Sequence, residues 1–481
     1  MNKTFFFYDL ETSGLRPRED RIMQFAGQRT DMDLNPIGEP VNILVKMTND
    51  ALPNPGAIMV TKITPQKTLE DGYTEAEFCK IVTEEIFTPD TIAVGYNTVR
   101  FDDEFMRAIL WRSFYDPYEW EWKDGRSRWD MLDVVRMVRA LRPEGINWPV
   151  TDKGKATNRL ELLTKLNGLE HAHAHDALSD VYATIAVAKL IREKQPKMFE
   201  FLFKMRDKKE VQKLVNLENK QPFVYTSGRY NADFDKTTVV VPIATSRNGN
   251  VLVYDLRYDL NEMLFARAAS PRPVCLRQFA SQGASAMGEA RSSSPCQAPE
   301  ALRKNISFYP IVKELCYNKC PAVAPLSVLN DENWKSIGLT KEQIDKNLAS
   351  VMAHPEFAEK MRTENEEKTF EPAEEPEEAL YDGFLNDTDR VKVAAVRNAD
   401  SKKLADFHPD FIDERLPDLL LHYKGRNYPE SLSEKEAEEW EKYRKARIKK
   451  YLPKFLEELN GIYEQDDFIA EELKLYLENI L

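Results

Sequence analysis

The stretch Phe5-Phe6-Phe7-Tyr8-Asp9-Leu10-Glu11-Thr12-Ser13-Gly14 constrains this chain more than any other, because it sets two carboxylates into an apolar, strand-forming run. Aromatic and aliphatic side chains suit a buried pleated strand, and Thr-Ser-Gly ends it with turn chemistry. Asp9 and Glu11, two residues apart on a strand, project to the same face. Buried carboxylates that share a face repel, so each tends to protonate unless a cation lies between them. Hard oxygen donors favour magnesium or manganese in that place. The alternative at this point is an edge strand carrying two solvated acids.

At 481 residues the chain exceeds what one core organises, and about three domains are expected. Its 42% hydrophobic and 31% charged composition is that of a soluble globular protein. No apolar run approaches the roughly 18 residues of a membrane span, and the N-terminus lacks the basic and apolar regions of a signal peptide. A cytoplasmic location without membrane association is expected. The five cysteines are sparse, and only Cys316 and Cys320 are close in sequence. Such usage fits a reduced compartment better than a disulfide framework, and two thiols without nearby histidines make a poor zinc site. The net charge of −13 weighs against a nucleic-acid partner without excluding one, since a groove can differ from the surface average.

Residues 20–30 and 41–45 read as further strands of an antiparallel meander, 74–87 has helical spacing, and 91–97 returns to strand. Asp102 then stands at the mouth of a helix that continues through Leu110. Acids in a first turn also serve simply as dipole complements. Residues 128–133 open another helix, which Pro143, Gly145 and Pro149 close, and 158–163 begin a short one ending near Gly168. His171, His173 and His175 either ligate zinc or decorate a solvated loop. His175 directly precedes a helix with small residues Ala177, Ala183 and Ala186. Asp180 lies in its first turns, where an ionised carboxylate needs a partner.

Asp9-Leu10-Glu11-Thr12-Ser13-Gly14, residues 97–102 and residues 175–180 resemble, in that order, the three motifs of the DEDD exonuclease family in its histidine-bearing subclass. Tyr96 departs from the His that often precedes the second-motif Asn, and leaves the carboxylate in place. Within that family the chain is similar to bacterial exonuclease I. The likeness is carried by 95–104, 114–118, 127–130, 141–149, 318–321 and 423–429, and so extends over nearly the whole chain.

The resemblance implies a ribonuclease H-like α/β exonuclease domain with a mixed sheet flanked by helices (1–196), an SH3-like β-barrel domain (197–349) and an all-α C-terminal domain (350–481). It implies processive 3′→5′ hydrolysis of single-stranded DNA to 5′-mononucleotides, in repair and recombination, by a monomer. Asp9, Glu11, Asp102 and Asp180 become ligands of two Mg2+ ions, with Mn2+ a substitute, and His175 becomes the general base. Glu11, Thr12 and Asn97 become contacts to the terminal nucleotide. A partner is implied too, the acidic C-terminal tail of single-stranded-DNA-binding protein, with Arg142 matching a tail-binding residue. Two competing readings stay open: a family exoribonuclease or polymerase-editing exonuclease, and an inactive single-strand-binding scaffold.

Three segments beyond the motifs carry their own expectations. The strands at 223–227, 238–243 and 251–256, separated by polar turns, read as a small barrel. Residues 364–378, with eight glutamates and two prolines, read as a solvated linker, and basic residues interleave with aromatics from Arg415 to Tyr451. That interleaving suits either stacking on single-stranded DNA or an amphipathic helical bundle, and the resemblance implies a helical extension that closes the DNA groove. Residues 265–301 contain nine Ala, six Ser, four Pro and four Arg and no Lys, Asp, Asn, Ile or Tyr. So few large apolar residues predict a disordered excursion, and its abrupt edges suggest a stretch read in a shifted frame.

Overall fold

The structure, a computed structural model, describes residues 3–169, 177–268, 311–369 and 371–481, without the side chains of 265–268. These fall into two compact units, one made of residues 1–130, 169–187 and 370–481, the other of 131–168 and 188–369.

The first unit is built on β1 (Thr4–Thr12), which lies at the centre of a five-stranded sheet. Its companions are β2 (Ile22–Thr30), β3 (Val41–Leu44), β4 (Thr91–Gly95) and β5 (Ser127–Asp130), in the order β3-β2-β1-β4-β5. β1, β2 and β3 form the expected antiparallel meander, while β4 and β5 add in parallel, so the sheet is mixed. Alternation along β1 sends Phe6, Tyr8 and Leu10 into a core with Phe25, Phe78, Phe87 and Trp120. Tyr8 stacks on Phe25 at 5.7 Å, and Phe87 meets Trp120 at 4.9 Å. Phe5 instead stacks on Trp129 at 6.5 Å.

Residues 128–133 open a helix only from Met131, and their first three residues are strand. Strand β5 runs through Asp130 with Arg128, Trp129 and Asp130 all buried, and the helix Met131–Leu141 starts after it. The two charged residues hid this strand, because their partners lie far away in sequence: Asp103 for Arg128, and the amides of Asn97 and Val99 for Asp130.

The same unit contains the helices Leu416–Asn427, Glu434–Ile462 and Asp467–Ile480. Here the amphipathic-bundle alternative holds, and most of the basic and aromatic side chains between Arg415 and Tyr451 face inward. Lys424 pairs with Glu436 at 2.6 Å, Arg415 with Asp413 at 2.7 Å, and Tyr423 and Trp440 are buried. His422 stacks on Tyr443 with 3.7 Å between ring centroids, and burial pushes its imidazole down to about 3. Lys435, Lys442, Lys445, Lys449 and Lys450 remain exposed.

Arg426 and Arg447 belong to a buried ionic cluster. Arg21 Nη2 lies 3.1 Å from Asp50 Oδ2 and 3.4 Å from Glu377 Oε1. Arg426 Nη2 lies 2.8 Å from Asp50 Oδ2 and also pairs with Glu377, and Arg447 Nη1 lies 2.5 Å from Glu377 Oε1. Beside them Arg112 grips Glu75 at 2.7 Å. Glu377 is therefore no part of a solvated linker. It is fully buried, and its carboxyl, like that of Asp50, is held below the usual range by the guanidinium groups against the opposing effect of burial.

The second unit contains a five-stranded antiparallel sheet in the order β10-β6-β7-β8-β9: β6 (Phe223–Thr226), β7 (Thr237–Thr245), β8 (Val251–Asp255), β9 (Val312–Leu315) and β10 (Ala322–Pro325). Val239, Val241 and Tyr254 pack with Phe357 and Met361 of the helix Pro355–Glu366, while Val240, Val253 and Leu315 pack with Phe223 and Tyr225. The helix Leu260–Ala268 takes the chain into the first four residues of the stretch read as an excursion; from residue 269 to 301 that stretch lies outside the described residues. Among the described residues no helix is long and apolar enough to cross a membrane.

Candidate active site

Asp9 and Glu11 leave β1 on the face opposite Tyr8 and Leu10. There they meet Asp180, in the first turn of the helix Ala177–Lys194. One oxygen from each of Asp9, Glu11 and Asp180 lies within 4.8 Å of the others. Between Glu11 and Thr12 the pairing with β2 slips by one residue, a bulge that re-aims the end of the strand. Thr12 is buried and its hydroxyl donates to the carbonyl of Gly14 at 2.7 Å.

Asp102 arrives from the other side of β1. The parallel pairing with β4 ends at Phe7 and Val94, so the Leu10 N–H beyond it needs another acceptor. Asp102 Oδ1 supplies it at 3.1 Å. Gly95 makes the turn out of β4 possible: a Cβ there would stand 2.0 Å from Thr98 Cγ2 and 2.9 Å from the Tyr8 carbonyl oxygen. Asn97 follows in the left-handed conformation at φ 74°. The Asp130 carboxylate holds this loop, accepting from Asn97 N at 3.0 Å and Val99 N at 3.1 Å.

The electrostatics match a site built for positive charge. Burial first, then the charges of Asp102, Asp180 and Glu11, raise the Asp9 carboxyl well above the usual carboxylate range. Burial and the neighbouring Asp103 push Asp102 up to about 8. Four carboxylates so placed are mutually unfavourable without a cation, and an all-oxygen donor set is the kind hard divalent metals take.

Asp103, Arg128 and Asp130 were missed as site residues by sequence reasoning. Asp103 accepts from the Tyr8 hydroxyl and pairs with Arg128, whose Nη2 reaches Glu121 at 3.0 Å. Asp103 and Arg128 anchor the residue that follows Asp102, Asp130 anchors the loop before it, and the double acid Asp102-Asp103 was their one visible signal. Of the expected residues, Asp9, Glu11 and Asp180 converge, Asp102 stands against the same strand, and Thr12 and Asn97 flank them in the chain. His175, with His171 and His173, lies outside the described residues. Arg142 belongs to the second unit, where it donates to Asn333 Oδ1 at 3.0 Å and to the Val328 carbonyl at 2.8 Å.

Three family models match the chain in order: Exonuclease over residues 6–188, Exonuclease I SH3-like domain over 206–288 and 297–366, and Exonuclease I C-terminal domain over 374–480. The SH3-like match thus continues through residue 288, inside the stretch of unusual composition. Exodeoxyribonuclease I of Haemophilus influenzae is 40% identical over 98% of this chain and 96% of its own. The Escherichia coli enzyme of that name is 38% identical over 96% of this chain and 94% of its own. Among solved structures, E. coli exonuclease I in complex with a dA16 oligonucleotide superposes with a TM-score of 0.88 at 36% identity, covering 100% of both chains. A zinc-bound form of the E. coli enzyme with single-stranded DNA gives a TM-score of 0.88 at 35% identity over 100% of both chains. A complex of SSB and exonuclease I with the inhibitor CFAM gives 0.86 at 34%, again over 100% of both chains. Likeness of this extent, along the full length of both partners and through all three domains, makes this chain a member of the exodeoxyribonuclease I family.

Proposed function

We propose that this chain is a processive 3′→5′ exodeoxyribonuclease that shortens single-stranded DNA to 5′-mononucleotides in DNA repair and recombination. The observation that carries the reading is the convergence of Asp9, Glu11 and Asp180 within 4.8 Å, with Asp102 against the same strand.

In this reading Asp9, Glu11, Asp102 and Asp180 hold two Mg2+ ions, which Mn2+ can replace. Bound there, such ions stabilise negative charge on the attacking and leaving oxygens of a phosphodiester. The chain's own residues do the rest. His175 accepts the proton of the attacking water, a role suited to imidazole, the side chain whose ordinary pKa lies nearest neutrality. Glu11, Thr12 and Asn97 seat the terminal nucleotide, and Asp130 keeps Asn97 in its strained turn. The Leu10 N–H holds Asp102 Oδ1, and the buried pair of Asp103 and Arg128 anchors the next residue of the helix.

Support for the substrate comes from the oligonucleotide-bound relative, and support for a protein partner from the relative solved with SSB. We assign the acidic C-terminal tail of single-stranded-DNA-binding protein to Arg142, whose planar fork suits a terminal carboxylate. Loss of tail-peptide affinity in Arg142→Ala, read by titration, is expected; unchanged affinity removes the assignment. The enzyme acts as a monomer.

The deciding experiment incubates end-labelled single-stranded DNA, RNA and duplex DNA with magnesium, with and without a chelator. Release of mononucleotides from the 3′ end of single-stranded DNA alone, abolished by the chelator, is expected. Equal hydrolysis of RNA would favour the exoribonuclease reading, and binding without hydrolysis the scaffold reading.

A further inference from the structure

The buried cluster around Arg21 is connected to the strand that carries Glu11. Ser13 N donates to the Arg21 carbonyl at 2.8 Å, and Arg21 N donates back to Ser13 Oγ at 2.8 Å. This reciprocal pair sits immediately after the bulge at Glu11 and Thr12, and it fixes the path of the chain as it leaves β1. Asn54 N closes the arrangement by donating to the Ser13 carbonyl at 2.6 Å. Ser13 and Arg21 are both fully buried.

The Arg21 guanidinium is held on all three nitrogens. Nε donates to Thr48 Oγ1 at 3.0 Å, Nη1 to the Glu19 carbonyl at 2.9 Å, and Nη2 to Asp50 at 3.1 Å and Glu377 at 3.4 Å. Glu377 is the member that comes from the distant segment of the chain. That segment is pinned on either side of it, since Trp111 Nε1 donates to the Pro376 carbonyl at 2.9 Å and Arg18 Nη1 to the Glu378 carbonyl at 3.1 Å. The cluster is more than a static patch, because its Arg21 end reaches within two residues of a carboxylate proposed to meet both cation and substrate.

We propose that Glu377, acting through Arg21 and Ser13, is a positioning residue for Glu11 and Thr12, so that the C-terminal region sets the rate at the reacting centre in addition to any part it has in holding DNA. The inference rests on the reading that Glu11 and Thr12 serve hydrolysis. Its physical basis is that displacing a reacting group by about 1 Å costs up to about 10²-fold in rate.

The test uses the full chain and two substrates. The 5′-p-nitrophenyl ester of thymidine monophosphate fills only the terminal-nucleotide site, whereas a single-stranded oligonucleotide in chelator reports DNA binding without turnover. Glu377→Gln, which keeps the shape and removes the charge, is expected to lower kcat on the ester by about 10-fold or more while oligonucleotide affinity stays within about twofold. Glu377→Asp should restore part of the loss. Ser13→Ala removes the Oγ half of the reciprocal pair at its other end with every charge in place, and should lower kcat on the ester by at least about 3-fold even if Glu377→Gln fails to fold. Wild-type turnover of the ester by Ser13→Ala, or a Glu377→Gln defect confined to oligonucleotide affinity, overturns the proposal. If the unaltered chain hydrolyses neither ester nor DNA with magnesium, the proposed function itself falls, and the positioning role with it.

Discussion

Asp50→Asn isolates what the buried ionic cluster contributes to stability, because the substitution is isosteric and removes one unit of charge. Asp50 Oδ2 accepts from Arg21 Nη2 at 3.1 Å and from Arg426 Nε and Nη2 at 3.1 and 2.8 Å, in a site with no solvent exposure. Arg21, Arg426 and Arg447 are balanced there by Asp50 and Glu377, leaving one positive charge in excess; in the variant two are left. Breaking a buried pair in this way costs about 3–5 kcal/mol, mostly as the penalty of an uncompensated charge. At about 2.1 cal/mol/K of unfolding entropy per residue, a loss of that size lowers the melting temperature of a chain this long by about 3–5 °C, read by scanning calorimetry at about pH 7.5. The pH dependence follows from the direction of the shifts. The folded carboxyls of Asp50 and Glu377 lie below their unfolded value of about 4, so their stabilisation is complete above that pH and is lost as pH falls through the depressed folded values. The parent chain should therefore lose stability more steeply than Asp50→Asn below about pH 4. Adding Arg426→Met to Asp50→Asn restores the charge balance, and the double variant should be more stable than the sum of the singles by at least about 1 kcal/mol. An Asp50→Asn protein that melts with the parent at pH 7.5 would refute the reasoning.

Asp102→Ala and Asp180→Ala should each abolish hydrolysis while leaving oligonucleotide binding largely intact; near-parental turnover in either would remove that carboxylate from the site. His175→Ala should slow the chemical step by about 10²–10⁴-fold, and activity of the parent should rise with pH through the histidine range. A flat profile between about pH 5.5 and 8 would point to another base. Gly95→Ala drives a methyl against the Tyr8 carbonyl, one residue before Asp9, and should cost about 1–3 kcal/mol of stability together with a drop in kcat. Unchanged melting and turnover would show that the β4 turn has slack that the geometry denies.

The parts of this molecule legible in its sequence are those whose partners are local or whose pattern is repetitive. β1 announces itself through Phe5 to Leu10, and the period-2 runs of β7 and β8 through their valines. Asp9 and Glu11 were legible because charge is conspicuous in an apolar run. Asp102 and Asp180 stand out at the starts of helices, but acids in a first helical turn are ordinary, and only the resemblance joins them to Asp9 and Glu11. What stayed hidden were charges whose neutralisation comes from far away. Arg128 and Asp130 looked too polar for a buried strand until Asp103 and the Asn97 loop were seen to cover them. Glu377, one of eight glutamates in a polar run, carries no local sign that three arginines converge on it. The same blindness made Arg426 and Arg447 look like ligands for DNA phosphates, when their counter-ions are carboxylates of the protein itself.

The order in which the chain is synthesised gives the ionic cluster a further significance. Arg21 and Asp50 emerge first, and through most of translation the strand that carries Glu11 is backed by an incomplete set of charges. Glu377, Arg426 and Arg447 arrive only with the last quarter of the sequence, and contacts of such long separation form late because loop closure must precede them. A nascent or prematurely terminated chain therefore has Ser13 and Arg21 without the carboxylate and guanidinium groups that complete the cluster around the Arg21 side chain. The hydrophobic core under the acidic strand is complete by Trp120, whereas its ionic neighbour waits for Arg447.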